Sequence, residues 1–519
     1  MHSVTPEQTL AEPAMQELLN MLGINVEYTR AEGDTLHYVG PDGTPETVVD
    51  YAGGYGALVL GHNHPALLDT AVAFLNERRP VLVQASRQPA VDGIAARLND
   101  IVSREFGTDE RYFAIFSNSG AESIEVALKH AEFDRVLRVR SLLEEVEARI
   151  AEVSAQAAAG TVAPPPGADG DLLTVLSGLR RDNAEAAARP PVFIALEGSF
   201  HGKLVGSVQL THNPSYRTPF ASMAPAARFV SLDDLDALDR IAEETRAVLR
   251  DVRVVDGVAT VVERPIPVVA AFVMEVIQGE GGIRVVTPAQ AERIRQGCAV
   301  LDCPIVVDEI QSGLGRTGAF FASSQIGLAA DYLTLAKGLG GGITKTAVTL
   351  VAQRRYRRDF ALVHSSTFAR DGLSTAVTTK VLELLEAENG AAYLRAKEKG
   401  EKLAEIFHDL RRRFPGVVRE VRGRGLMLGL EFTDQSHAAA PGIAGVSANG
   451  MLGYVISGYL LRAHRVRTFP TASAANTLRF EPSLDLADAD IERLRVALEV
   501  LCVVLRDQDE QALLGGGAG

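Results

Sequence analysis

Apolar and polar positions along the middle of the chain follow two alternating periods. From about Tyr51 to Arg370, short apolar runs that suit buried strands are separated by segments with an apolar stripe of helical period. One unit is legible in full: the strand "VVAAFVMEV" leads to Thr287, a predicted helix N-cap with Pro288 in the first turn, and "CPIVVDEI" is the next strand. The alternation predicts an α/β fold, with a mostly parallel sheet covered by helices on both faces.

The two ends of the chain have a different pattern. The first fifty residues predict a helix around Met15 and Leu22, followed by short strands, whereas the chain beyond Leu373 is first helical and then offers the strands "GRGLMLGLEF" and "NTLRFEPSL". A smaller α+β domain is therefore expected beside the large one. The predicted organisation is 1–50 as a segment joining the small domain, 51–370 as the large domain, 371–508 as the small domain and 509–519 as a disordered tail.

A helical hairpin is predicted as an insertion into the large domain, at about 133–190. Its first helix carries a heptad seam. The seam residues are Val136, Val139, Leu143, Val146, Ile150, Val153 and Ala157. After the breaker "GTVAPPPGADG", a second stripe comprises Leu172, Leu176 and Leu179. The seam has to bury against its own second helix, a partner subunit or another protein.

Composition narrows the class of protein. The chain has 519 residues, of which 46% are hydrophobic, and a net charge of −14, which disfavours nucleic acid and anionic membranes as partners. No apolar run approaches the roughly 18 residues of a membrane span, and the first residues lack the regions of a signal peptide, so the cytoplasm is expected. Cys298, Cys303 and Cys502 have no metal-ligand spacing and are predicted to be reduced core residues.

The run "CPIVVDEIQSGLGRTG" places two carboxylates, Asp308 and Glu309, at the end of a buried strand. Burying a carboxylate without a partner is costly, so a charged group should meet it there. Lys337, in "TLAKGLGGG", lies 29 residues beyond Asp308 and is the strongest candidate for this charged partner. A lysine in a sheet-edge pocket can form a Schiff base with an aldehyde, and a carboxylate at a neighbouring strand end can keep a pyridine nitrogen protonated. Together these groups predict a site for pyridoxal 5'-phosphate (PLP).

Such a cofactor needs a phosphate site and an aromatic neighbour. In "FSNSGAESIEVALKHA", a turn containing Ser119, Gly120 and Ala121 comes immediately before a helix, where free N–H groups and the helix dipole suit a dianion. By itself this signal is weak, because many helices begin on Ser-Gly. Phe200, in "EGSFHGK", offers an aromatic face for the ring.

Taken in order, these stretches resemble the class III aminotransferases, the PLP family of ornithine, acetylornithine and ω-amino acid transaminases. The matching stretches are "GHNHP", "FSNSGAESIEVALK", "FHG", "EVIQGEGG", "VVDEIQSGLGRTG", "LAKGLGGG", "HSSTF", "VRGRGLMLGLEF" and "LRFEPSL". The resemblance implies a fold-type-I PLP transferase that works as a homodimer with shared active sites. It also implies ping-pong amino transfer from an amino donor, expected to be glutamate, to an aldehyde or ketone acceptor.

The resemblance also assigns residue roles. Lys337 would carry PLP as a Schiff base and shuttle protons, Asp308 would pair with the pyridine nitrogen, and Gln311 would approach the phenolic oxygen. The remaining cofactor-binding residues would be Phe200, stacked on the ring, Ser119, Gly120 and Ala121 at the phosphate, His201 and Glu275 near the ring, and Thr367 at the phosphate of the partner subunit. Arg479 would bind the donor carboxylate and pair with Glu280 in its absence, with Tyr55 as a further substrate-binding residue.

Other interpretations have less support. Residues 313–318 fit the G-x-G-x-x-G dinucleotide motif, but no helix pattern follows them. His62 and His64 could suggest a metal site, but no carboxylate or cysteine accompanies them, and a structural turn is favoured. The same fold also serves decarboxylating transaminases, racemases and aminomutases, and a non-catalytic scaffold homologue is a further alternative that an intact Lys337 argues against.

Three features depart from the family pattern. After "HSSTF" the chain has "ARDGLST" in place of a small glycine, asparagine and proline turn. Lys203 stands where ornithine-type members have arginine, which weakens an ornithine assignment. The hairpin insertion is longer than compact members need, as in long forms of specialised biosynthesis, an expectation that rests on analogy.

Overall fold

A computed structural model describes residues 11–40, 42–167 and 170–515. The helices are α1 (Pro13–Met21), α2 (Gly53–Gly56), α3 (Pro65–Asn76), α4 (Pro89–Phe106), α5 (Gly120–Ala158), α6 (Leu172–Ala187), α7 (Val205–Gln209), α8 (Pro214–Arg217), α9 (Ala237–Thr245), α10 (Pro288–Val300), α11 (Phe360–Val363), α12 (Gly372–Arg413), α13 (Pro441–Ala448), α14 (Leu452–His464), α15 (Asp488–Arg506) and α16 (Glu510–Leu514). The strands are β1 (Tyr28–Glu32), β2 (Thr35–Val39), β3 (Pro45–Asp50), β4 (Tyr112–Ser117), β5 (Val192–Leu196), β6 (Arg228–Val230), β7 (Val248–Val255), β8 (Val258–Pro265), β9 (Val269–Glu275), β10 (Ile277–Gln278), β11 (Arg284–Val285), β12 (Ile305–Asp308), β13 (Tyr332–Leu335), β14 (Ala347–Ala352), β15 (Val418–Arg424), β16 (Met427–Phe432), β17 (Val466–Arg467), β18 (Phe469–Thr471) and β19 (Ala474–Phe480).

A seven-stranded sheet in the order β4-β14-β13-β12-β9-β5-β6 forms the centre of the molecule. The pairs from β13 to β6 are parallel, whereas β14 runs antiparallel to both of its neighbours. Every residue of β9, β12, β13 and β14 is buried, as expected for a sheet with both faces covered. The predicted α/β fold with a mostly parallel sheet is confirmed.

Local signals explain how the central strands are connected. Thr287 caps α10, its side chain accepting a hydrogen bond from the N–H of Gln290, and Pro288 occupies the first turn, as predicted. Because α10 returns the chain to the start of the sheet, β9 and β12 run parallel and end at the same edge. Their register places Asp308 beside Glu275 and, on the other side, beside Thr334.

Two smaller four-stranded sheets are built from the N-terminal and C-terminal parts of the chain. The antiparallel sheet β15-β16-β19-β18 carries Arg479, and a second sheet of β1, β2, β3 and β17 joins residues near both ends of the sequence. The helix α12 runs from the large sheet toward these sheets and is broken at 387–390, where three consecutive residues have left-handed backbone. The N-terminal segment therefore packs with the C-terminal part of the chain.

The insertion contains more than two helices. The first helix is a continuation of α5, which begins at the predicted phosphate turn, and α6 packs along it. The β-ribbon of β7 and β8 completes a separate apolar cluster with them. The ribbon residues of the cluster include Leu249, Val252 and Ala259, which lie outside the predicted insertion at 133–190.

The end of the chain differs from the predicted disordered tail. The segment from 509, expected to be a disordered tail, begins with α16, because Asp509 caps this helix and Leu513 is buried. The glycine-rich residues 516–519 lie outside the described residues.

All three cysteines are free and buried, as predicted. Within the described ranges, no helix combines the length and the apolar character needed to cross a bilayer.

Candidate active site

A cavity of about 230 Å³ opens at the carboxyl ends of β9, β12 and β13. Ligands bind at this edge in open α/β sheets, because the strand ends and the loops that follow them converge there. Of the residues predicted for the site, those that line the cavity are Gly120, Ala121, Phe200, His201, Glu275, Asp308, Gln311 and Lys337. They come from five separate stretches of the sequence, so the fold alone brings them together.

Asp308 and His201 form a buried ion pair at the floor of the cavity. The His201 Nδ1 lies 2.8 Å from the Asp308 Oδ2, and the other Asp308 oxygen accepts a hydrogen bond from the N–H of Ile310. Burial opposes protonation of His201, but the adjacent Asp308 carboxylate outweighs it and raises the histidine's pKa. The His201 Nε2 is buried without a hydrogen-bond partner among the described residues.

Glu275 lies beside this pair and is held only by backbone donors. Its two oxygens accept hydrogen bonds from the N–H groups of Phe200 and Gly279, both at 2.9 Å. Burial, together with the negative charge of Asp308, raises the pKa of Glu275 to about 7. This carboxyl group can therefore bind a proton near neutral pH, in contrast to its usual behaviour.

Lys337 begins a 3-10 turn directly after β13, and its backbone is strained. Its φ of 44° lies in the left-handed region, which is uncommon for residues other than glycine and is stabilised here by the surrounding structure. Burial lowers the pKa of the Lys337 amine, opposed most strongly by the charge of Glu481. An amine with a lowered pKa is a better nucleophile at neutral pH.

The start of α5 also lines the cavity, through Gly120 and Ala121. The Ser119 side chain caps the helix by accepting a hydrogen bond from Glu122 N–H, which leaves the first helical N–H groups, on Gly120 and Ala121, available to an anion. A side chain at Gly120 would lie 3.0 Å from Ile310, and one at Gly202 would lie 2.6 Å from Ala121. The two glycines let the helix start approach the cavity closely.

Arg479 and Glu280 form a second ion pair at the side of the site. The Arg479 side chain is almost fully buried, with its Nη1 2.5 Å from the Glu280 Oε1, and the other Glu280 oxygen accepts a hydrogen bond from Ala472 N–H. The Arg479 guanidinium holds the pKa of Glu280 below its usual value despite burial. Tyr55 covers this pair: its ring centroid lies 4.6 Å from the guanidinium carbon.

Thr367 is the one predicted cofactor residue that lies apart from this group. It is exposed, it does not line the cavity, and its backbone oxygen accepts a hydrogen bond from Gln84. His62 and His64, for which a structural turn was favoured over a metal site, lie just before α3. His62 bonds to Asp50.

Three residues of the site were not predicted from the sequence. Tyr216 and Tyr454 are close enough to Glu280 for its charge to raise their pKa values, alongside the larger effect of burial. Glu481 accepts a hydrogen bond from Gln311. Only Glu481 had a sequence signal: it is a carboxylate two residues after Arg479, directly beyond the end of β19, and the alternation of an extended chain places it on the same side as the arginine.

Comparison with known proteins identifies a family. The family model described as aminotransferase class-III matches residues 20–498. Similar solved structures include an ornithine aminotransferase from Toxoplasma gondii (22% identity, 93% of this chain and 91% of that chain, TM-score 0.66) and a PLP-bound amine transaminase from an uncultivated Pseudomonas species (20%, 97% and 98%, 0.69). An N-acetylornithine aminotransferase from Stenotrophomonas maltophilia is similar at 23% identity (94% and 100%, 0.60). At these identities the structures show a shared fold.

Proposed function

Since this chain belongs to the class-III aminotransferases, which are PLP-dependent transaminases, we propose that it moves an amino group from glutamate to an aldehyde or ketone acceptor by a ping-pong mechanism. The observation that supports this most directly is the convergence of Lys337, Asp308, Glu275 and the start of α5 on one cavity.

The residues of the cavity fit PLP. Lys337 offers an amine for the aldehyde carbon, and Asp308 offers a buried negative charge for the ring nitrogen. The capped start of α5 offers N–H groups for the phosphate, and glycine at position 120 keeps that approach open. When bound, PLP supplies an aldehyde that bonds to amines and a ring that accepts the electron pair left when a neighbouring C–H bond breaks.

Each of the other side chains at the cavity would have a separate role. The Asp308 carboxylate would keep a proton on the ring nitrogen, and His201 would hold that carboxylate in place through its Nδ1. Phe200 would cover one face of the ring, and Gln311 would lie at its phenolic oxygen. The Lys337 amine, once released, would take a proton from the substrate carbon that bears the amino group and deliver it to the aldehyde carbon of the cofactor, because its lowered pKa makes the free base available near neutral pH.

A test of this assignment uses Lys337→Ala. Purified wild-type protein treated with borohydride should carry the cofactor covalently on the Lys337 peptide, as seen by mass spectrometry, and the variant should not. Transamination should fall by at least about 10²-fold, since the proton shuttle is lost as well. Lys345→Ala, at a nearby exposed lysine, is the matched control and should behave as wild type. Equal amounts of reducible adduct in Lys337→Ala would refute the assignment.

The Arg479–Glu280 pair supports a donor with an α-carboxylate and an acceptor without one. A donor carboxylate would displace Glu280 and take a two-pronged salt bridge from the guanidinium, which lysine cannot reproduce. With an acceptor that lacks this carboxylate, Glu280 would stay on Arg479 and no buried charge would be left unpaired.

The two half-reactions separate this switch from a structural ion pair. Arg479→Ala should slow the glutamate half-reaction by about 2–5 kcal/mol of barrier, and the half-reaction with a simple amine far less, both followed by stopped-flow absorbance. The double variant Arg479→Ala/Glu280→Ala controls for the carboxylate left unpaired: it should restore the amine half-reaction but not the glutamate one. Equal losses in both half-reactions for Arg479→Ala would contradict the switch.

We also propose that the active unit is a homodimer. Large apolar side chains are exposed on α3 (Val72 at 55%, Leu75 at 54%) and near α11 (Leu362 at 85%, Phe368 at 61%). The loop after α3 contacts the segment after α11 through two hydrogen bonds. Gly372 N–H donates to the Val81 oxygen, and the Gln84 side chain donates to the Thr367 backbone oxygen. Large apolar side chains exposed in this way are typical of subunit interfaces. In a dimer, Thr367 would reach the phosphate in the partner's site.

A further inference from the structure

Glu481, at the end of β19, is a buried carboxylate with an incomplete set of hydrogen bonds. It is 0% exposed, and its Oε1 accepts a hydrogen bond of 2.7 Å from the Gln311 Nε2. Its Oε2 is buried with no hydrogen-bond partner among the described residues. Keeping a carboxylate oxygen in this state costs free energy, so the residue has a reason to be there other than its contribution to folding.

Two glycines shape the slot that holds the Glu481–Gln311 pair. A side chain at Gly56 would lie 3.2 Å from the Gln311 Cγ and 3.3 Å from the Glu481 Oε1, and one at Gly279 would lie 2.1 Å from the Gln311 Oε1. An ionised carboxylate only accepts hydrogen bonds, so the NH₂ end of Gln311 has to face Glu481 and its oxygen has to face Gly279. Glu481 therefore determines which way the amide of Gln311 points into the cavity that Gln311 lines.

Glu481 also lies among the buried cations of the site. Its charge acts on Arg316, Arg479 and Lys337, and among the charges near Lys337 it opposes the effect of burial most strongly. The other charged groups that face Lys337 are Arg479, Glu280 and Asp308. Glu280 is paired with Arg479, and Asp308 is paired with His201. Glu481 is therefore the carboxylate of this group that has no cationic partner within hydrogen-bond distance among the described residues.

We propose that Glu481 is a positioning residue of the active site, which orients the Gln311 amide and supplies the fixed negative charge that lets the Lys337 nitrogen hold a proton during the reaction. The inference rests on the proposed role of Lys337 in transamination. It assigns Glu481 no contact with substrate: the residue acts through Gln311 and through its charge.

The two parts of this role are separated by two substitutions. Glu481→Gln keeps an acceptor for Gln311 but removes the charge, whereas Glu481→Asp keeps the charge but withdraws it from Gln311 by one methylene. The readout is the visible absorbance of the cofactor-loaded protein without substrates, titrated against pH, which reports protonation of the nitrogen that Lys337 contributes. Loss of a nearby negative charge disfavours the protonated form, so Glu481→Gln should lower the midpoint by about one pH unit or more.

The aspartate variant tests the orientation of Gln311. Its midpoint should shift by less than half as much as that of Glu481→Gln, and its cofactor should dissociate about threefold to tenfold faster than from wild type, the effect of about one lost hydrogen bond. Glu309→Gln is the matched control: it neutralises a second fully buried carboxylate, one whose charge is not among those acting on Lys337, and should leave the midpoint unchanged.

The midpoints and the rate of cofactor dissociation decide between the possible outcomes. A wild-type midpoint in Glu481→Gln, or an equal shift in Glu309→Gln, would overturn the proposal. Should Glu481→Gln fail to fold, judged by its circular dichroism, the aspartate variant decides alone, and cofactor dissociation at the wild-type rate would overturn the inference. If wild-type protein itself shows no absorbance band that responds to amines, the proposed function fails. If wild-type protein responds to amines and Glu481→Gln has the same midpoint, only the inference about Glu481 fails.

Discussion

Four carboxylates lie around the cavity, three of them buried and Glu280 mostly buried, and they differ in what compensates their charge. They are Glu275, Glu280, Asp308 and Glu481. Asp308 and Glu280 have a histidine and an arginine within hydrogen-bond distance, whereas Glu275 has two backbone donors and Glu481 has one side-chain amide. No full positive charge is hydrogen-bonded to Glu275, and burial, together with the negative charge of Asp308, raises its pKa to about 7.

This raised pKa predicts how the stability of the cofactor-free protein depends on pH. Between the ordinary pKa of 4.5 and the folded value of about 7, the folded protein binds a proton at Glu275 that the unfolded chain does not. The contribution of Glu275 to the free energy of unfolding is therefore present at low pH and is lost as pH rises through 7. The full loss is about 3 kcal/mol. Denaturant unfolding of the apoprotein at pH 5 and pH 8 measures it.

Glu275→Gln is the comparison, because glutamine has no proton to lose in this range. The amide places an NH₂ group against one of the two backbone donors, so the variant should be less stable at pH 5, but its stability should change less between pH 5 and pH 8 than that of wild type. An identical pH dependence in both proteins would remove Glu275 as the titrating group.

At the residue scale, what the sequence predicted and what it missed have a physical explanation. Asp308 and Lys337 follow apolar runs, and a charged residue directly after a buried strand is a strong signal of a sheet-edge site. Tyr454 lies on the helix α14, where a tyrosine among apolar residues has no signal that separates a cavity wall from ordinary packing. The roles of the predicted site residues stay predictions until the variants are measured.

At the element scale, the insertion is a small folding unit built from three separate segments. The helices α5 and α6 and the ribbon of β7 and β8 share one apolar cluster. The Asn183 side chain also pairs with the edge of the ribbon, accepting a hydrogen bond from Arg250 N–H and donating one to the Arg250 oxygen. Asp251, fully buried, is paired with Arg149 of the helix and Arg264 of the ribbon.

The sequence predicted the helices but not their third partner. The heptad seam is a local pattern, whereas the ribbon lies more than sixty residues away, and its contacts with the seam have no local signal. The ribbon itself was predictable, because Asp256 and Gly257 both have positive φ, the conformation of a two-residue hairpin turn for which Asp-Gly is a preferred sequence.

The shared apolar cluster predicts the outcome of deleting the insertion. Replacing 139–187 with a Gly/Ser linker should expose Leu249 and Val252 and leave Asp251 without Arg149, so the protein should aggregate or melt at a lower temperature. Replacing 247–266 with a short turn as well should restore a soluble protein that binds the cofactor, measured by absorbance and by light scattering. Loss of cofactor from that soluble double deletion would show that the insertion helps to build the site.

At the scale of the whole molecule, one chain holds nearly all of its proposed cofactor site. Thr367 is the exception, since it is exposed on the same surface as Phe368 and does not line the cavity. The sequence could indicate this residue only through its resemblance to a family motif, because the geometry of a shared site depends on a second copy. Which subunit's site Thr367 serves can therefore be decided only in an assembly of two chains.

Mixed dimers decide it by complementation. Lys337→Ala and Thr367→Ala proteins, each with little activity, are unfolded together and refolded as a mixture, with each variant refolded alone as the control. If Thr367 acts in the partner's site, one site of each mixed dimer combines an intact Lys337 from one chain with an intact Thr367 from the other, and activity should rise well above that of either variant. The second site carries both defects and stays inactive. If Thr367 acts within its own chain, every site contains at least one defect, and the mixture should be no more active than the average of its components.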